Sequence, residues 1–128
     1  MIAAGLATVR NVHQGWAWVV VIGNGVAGVW SLAAHPFAVL RVNALWWFIG
    51  AAQLAVFVQA LLGAIMVGRD QVPLPEFHAF YGFVAIVSIA IIYSYRIQMK
   101  HRLYLLYGGG SLFVMGLGIR SMLIATGV

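Results

Sequence analysis

The sequence predicts an all-α membrane protein of four transmembrane helices in an up-down-up-down bundle. Three observations predict it. Hydrophobic residues make up 64% of the 128 positions against 7% charged, with a mean hydropathy of +1.01. That balance is outside the range of a water-soluble domain. Four stretches are long and apolar enough to cross roughly 30 Å of hydrocarbon, which takes about 20 residues. The joins between them hold the prolines and most of the charge.

The spans run from about Gly15 to Ala34, Ala44 to Val67, His78 to Tyr95 and Tyr104 to Ala125. His35-Pro36 ends the first. Gly68-Arg69-Asp70, followed by Pro73 and Pro75, separates the second from the third, because proline and the residue before it resist helix continuation. Arg96 to Arg102 is the third join. Joins this short make neighbouring helices antiparallel and leave a single four-helix domain, 1–128, with no extramembrane unit. The stretch before Trp16 lacks the apolar core and cleavage site of a removable signal peptide, so the first span is expected to act as its own signal.

Seven Lys and Arg against two Asp and Glu give a formal charge of +5. No solvated basic domain accompanies it, so nucleic acid is excluded as a partner, and the charge is read as topology and contact with the lipid bilayer. Arg41, Arg96, Lys100 and Arg102 fall on one side, and Arg10, Arg69 and Arg120 on the other. The positive-inside rule then puts both termini outside, in a multi-pass protein expected in the plasma (inner) membrane of a prokaryote. The chain has no cysteine, which excludes disulfides, thiolate metal sites, Fe–S clusters and cysteine nucleophiles.

Trp16, Trp18, Trp46, Trp47, Tyr95, Tyr104 and Tyr107 lie near the span ends, where an interfacial aromatic belt belongs. Small residues mark close helix contacts: Gly25, Gly28 and Ser31 in the first span, Ala60 and Gly63 in the second, and Gly108 to Gly110, Gly116 and Gly118 in the fourth. Asn24, Gln53, Gln59 and Ser88 are expected to form hydrogen bonds between helices, because a bare polar group in hydrocarbon is expensive. Arg120 lies about 7 Å of helix rise from the end of the fourth span. From there it either snorkels to the headgroups or clamps a carboxylate or phosphate.

His13 and His78 begin spans that run in the same direction, so they share a depth at the predicted outer face; His35 and His101 stand at the opposite surface. Histidines at span ends are commonly interfacial residues. Two imidazoles converging inside a helical bundle are also a good axial ligand pair for heme iron.

The second span's Val58-Gln59-Ala60-Leu61-Leu62-Gly63-Ala64-Ile65-Met66-Val67, a short proline-containing loop and His78 opening the next helix together resemble the repeating half of the heme A synthase family. That family has two four-helix halves, each with one histidine at the start of its first bundle helix and another at the start of its third, and His13 and His78 are similar to such a pair. The resemblance implies bis-histidine ligation of heme b near the outer face, by His13 and His78 as metal ligands, with Arg10 or Arg120 holding a propionate. It covers the first three spans better than the fourth. Where the catalytic half of the family carries a glutamate, three residues before its first histidine, this chain has Arg10; it also has one half only and no loop cysteine pair. Oxygenation chemistry and a catalytic residue are therefore not expected.

The expected function is a heme-b-binding membrane protein, either passing electrons or serving as a heme-carrying subunit. The alternative is an accessory subunit without a cofactor, packed in a larger respiratory or photosynthetic complex. A third reading has the same histidines and aromatics holding a quinone or a chlorophyll-type pigment. Association with a larger membrane complex or as a homodimer is expected in each case. A transporter is disfavoured, because no pair of Pro- or Gly-broken helices occupies matching positions.

Overall fold

The computed structural model describes residues 2–73 and 75–126, the side chains of 2–4, 6, 7 and 76 aside. Four α-helices account for nearly all of them: α1 (Ile2–Ala34), α2 (Asn43–Gly68), α3 (Glu76–Ser94) and α4 (Leu103–Ala125). Short 3-10 turns, Ala38–Leu40 and Lys100–Arg102, lead into α2 and α4. Among the described residues four stretches are long and apolar enough to cross a membrane: Thr8–Ala34, Asn43–Gly68, Phe77–Ser94 and Lys100–Ala125. Val29, Leu54, Leu61 and Phe83 are each more than 60% exposed on the outside of these helices. Such a band of bulky apolar side chains is stable in hydrocarbon and not in water.

The helix starts differ from the sequence reading at one place. α1 begins at Ile2 rather than near Gly15, because nothing between Ile2 and Gln14 interrupts a helix. The first proline is Pro36, and polar residues such as Arg10 and Asn11 end a hydrophobic window without ending a helix. His13 therefore sits three turns inside α1 instead of at its start.

Side chains exchanged between helices fix their register. Trp16 Nε1 donates to Ala55 O at 2.8 Å, and Asn24 Nδ2 to Ala52 O at 3.2 Å, so α2 descends as α1 rises. On its other flank α1 meets α4 antiparallel as well: a Cβ placed on Gly25 would touch Met115, and one on Gly28 would touch Leu112. Ser31 Oγ donates to Tyr104 O at 2.7 Å near the far end of this contact. α3 packs along α4, with Ile92 against Gly110 at one end and His78 against Ser121 at the other. α1–α4, α1–α2 and α3–α4 are the extensive contacts, whereas α2 and α3 meet over a small part of their length. The shared interior is built from Ala27, Leu45, Ile49, Val56, Ile89 and Val114. Its many alanines fit an assembly in which close backbone approach contributes more than apolar burial.

Of the four polar residues expected to bond between helices, Asn24 and Gln59 do so. Ser88 instead donates to Val84 O on its own helix at 2.7 Å. Gln53 is half-buried and makes no hydrogen bond among the described residues. Two residues of the expected aromatic belt prove to be packing residues. Trp16 spends its indole N–H on α2, and Tyr107 is buried beneath Trp46, ring centres 5.4 Å apart. Trp47, 81% exposed, matches the belt.

At the end carrying the 1–2 and 3–4 connections, Arg41 folds back onto α1. Its Nε donates to Ala34 O at 2.7 Å and its Nη2 to His35 O, which satisfies two carbonyls that the helix end leaves open. The guanidinium lies 5.5 Å from the centre of the Tyr104 ring. At the other end, Arg69 Nε pairs with Asp70 Oδ1 at 2.8 Å. The hydrogen bond from Arg69 holds the Asp70 carboxyl below the usual carboxylate range.

Candidate functional site

His13 on α1 and His78 on α3 come together although their helices share no extensive contact. Their ring centres are 6.0 Å apart and the planes are inclined at 75°. Both are half-buried. Two helical neighbours hold them. α2 supports His13: Gln59 Nε2 donates to His13 O at 2.7 Å, and Gly63, one turn further on, lies under the imidazole. A Cβ at position 63 would stand 3.3 Å from His13 Cε1, so the absent side chain is what admits the ring. α4 supports His78. Its Nδ1 lies 3.0 Å from Ser121 O and 2.8 Å from Ser121 Oγ, and the Ser121 hydroxyl also reaches His78 O at 3.3 Å.

The Ser121 carbonyl can only accept, so a hydrogen bond to it requires the proton of His78 on Nδ1 and leaves Nε2 as a lone pair. A second nitrogen bonded to a backbone carbonyl is the usual arrangement for a histidine that binds a metal. Among the described residues no group of three or more potential metal-ligating side chains forms, so a caged metal ion lacks ligands here. A macrocycle that supplies its own metal ligands would ask only for imidazole from the protein, and His13 and His78 are the residues that could provide it.

The other expected site residues lie around this pair. Arg10 is on α1 one turn before His13, and Arg120 immediately precedes Ser121. Both are exposed, and neither forms an ion pair or hydrogen bond among the described residues. Both are cations at the same end as the imidazoles. His35 and His101 belong to the opposite end, and neither stacks with another ring among the described residues. Sequence reasoning missed Ser121 and the contact of Gly63 with His13. The serine carries no signal of its own, since a hydroxyl near a span end is ordinary, and its significance comes from α3 and α4 meeting in this register.

No protein-family model, curated protein or solved structure matches this chain. What the site can do therefore rests on its own geometry.

Proposed function

We propose that the protein binds heme b between His13 and His78, and acts as an electron-transfer or heme-carrying membrane protein. The observation that carries this reading is the imidazole pair: two rings 6.0 Å apart, brought from helices that barely touch, one with its outer nitrogen bonded to a carbonyl. An accidental pair of interfacial histidines needs no such support from Ser121 on one side and Gly63 on the other.

Heme b, when bound, supplies a one-electron couple at its iron. The residues of this chain supply position and charge. His13 and His78 would hold the iron. Arg10 and Arg120 are placed to balance the propionate carboxylates and so to tune the potential without bonding the metal. Arg10 stands where the resembling family has its glutamate, so the reading is of a carrier rather than an oxygenase. The likeness to one half of heme A synthase supports the choice of ligand.

The test is the absorption spectrum of protein purified gently with heme available, with and without dithionite. Stoichiometric heme with sharp reduced bands of a six-coordinate, low-spin iron is expected. A heme-free protein would favour a subunit of a larger complex instead. One observation speaks for that second reading: Gly109 and Gly116, two turns apart on the outside of α4, meet no atom of this chain within 4 Å, which leaves room for a foreign helix.

The loop charges support an outward-facing histidine pair. Cysteines introduced singly at Gln71 and Gln98, in a chain with none of its own, are expected to react with a membrane-impermeant maleimide from opposite sides, Gln71→Cys from outside. Labelling of Gln98→Cys from outside would reverse the orientation.

A further inference from the structure

Two buried polar atoms at the histidine end have no hydrogen-bond partner among the described residues, His13 Nδ1 and Gln59 Oε1. They belong to residues already joined, since Gln59 Nε2 donates to His13 O. They also lie on one face of α2, where a Cβ on Gly63 would be 3.9 Å from the same Nδ1. A buried donor or acceptor left unsatisfied is destabilising, so an arrangement that joins the two is favoured.

The two atoms are chemically complementary. An amide oxygen accepts, and an imidazole nitrogen donates when it carries the proton. Exchanging the amide oxygen and nitrogen of Gln59 does not help, because it would turn an oxygen toward the His13 carbonyl. No direct hydrogen bond joins them, and one water donating to Gln59 Oε1 and accepting from His13 would satisfy both. Waters of this kind commonly satisfy buried polar groups near a protein surface.

We propose that Gln59 is the positioning residue of His13: a buried water carries a hydrogen bond from His13 Nδ1–H to Gln59 Oε1, fixing the proton on Nδ1 and leaving Nε2 as the lone pair. α2 then does for His13 what Ser121 on α4 does for His78. Both imidazoles are set in the same tautomer by helices outside the pair, and both keep Nε2 for a metal. The use of that lone pair rests on the heme reading; the tautomer is a property of the chain alone.

The experiment is side-chain ¹⁵N NMR of heme-free protein in lipid nanodiscs with ¹⁵N-labelled histidine, assigned with His13→Ala and His78→Ala. In the wild type His13 is expected as the Nδ1–H tautomer. In Gln59→Leu its population shifts toward Nε2–H, while His78 keeps its signals. Gln59→Glu retains an acceptor, keeps the Nδ1–H tautomer and moves its proton downfield, which preserves the test if the leucine variant does not fold. Redox titration of the heme-loaded proteins adds a second readout: Gln59→Leu should raise the potential, and Gln59→Glu should lower it, because a stronger acceptor makes the ligand more basic. An Nε2–H tautomer in the wild type, or one indifferent to Gln59→Leu, overturns the positioning role. If the tautomer responds as stated and no heme binds, the heme reading fails and the role of Gln59 stands. If heme binds and the tautomer does not respond, the reverse holds.

Discussion

Replacing either His13 or His78 with alanine is expected to remove the sharp reduced bands of bound heme, and replacing His35 or His101 is not. The argument is one of ligand count. The structure offers two imidazoles at one end, 6.0 Å between ring centres, and among the described residues no group of three or more potential ligands. Losing one leaves a single axial bond, so the iron becomes five-coordinate and high-spin, its bands broaden, and occupancy falls. The fall should exceed the roughly 10–100-fold that loss of an outer hydrogen-bond partner causes. Arg10→Gln and Arg120→Gln form the control within the site, since both should shift the potential with little effect on occupancy. Equal spectra for His13→Ala and wild type would remove the proposed ligand set altogether.

That the pair was visible in the sequence at all follows from topology. Two helices that run the same way carry histidines at similar depth, and four spans with short joins leave few places for them to go. The spans were equally legible, because hydropathy over 18 or more residues is a signal that tertiary context seldom overrides in a membrane. The failures have a common cause. Extension of α1 to Ile2 is invisible to a hydropathy window, since a helix continues through Arg10 and Asn11 at little cost while the window average drops. Trp16 and Tyr107 read as belt residues because an aromatic near a span end satisfies the same pattern whether it faces lipid headgroups or a neighbouring helix. Ser88 read as an interhelical donor, yet a hydroxyl in hydrocarbon is satisfied as well by the carbonyl one turn back. Ser121 and the acceptor on Gln59 depend on rotation of each helix about its axis, which short apolar motifs do not encode.

The same limit applies to the glycines of α4, and it gives the largest expected effect on stability. Gly118 marks a close contact, a Cβ there falling 3.3 Å from Val21 Cγ2, whereas a Cβ on Gly116 meets nothing within 4 Å among the described residues. The tightest part of the α1–α4 crossing lies more than two turns from Gly116, at Gly108. A Cβ on Gly108 would fall 2.6 Å from Leu32 Cγ and 2.9 Å from the Leu32 backbone nitrogen; one on Gly28 would fall 2.7 Å from Leu112 Cγ and 3.0 Å from Gly108 O. Side-chain ends can rotate aside, but backbone atoms move only if the helices separate. Gly108→Ala should therefore cost at least the 1–3 kcal/mol typical of overpacking, seen as a lower midpoint of thermal unfolding in a fixed detergent. Gly110→Ala meets the flexible end of Ile92 and should cost less. Gly109→Ala and Gly116→Ala should be neutral or gain up to about 1 kcal/mol, since alanine suits a helix better than glycine. Gly28→Ala with Gly108→Ala should cost less than the two singles added, because helices already parted by one methyl have room for the other. Stability unchanged by Gly108→Ala would mean that α1 and α4 do not cross at this point.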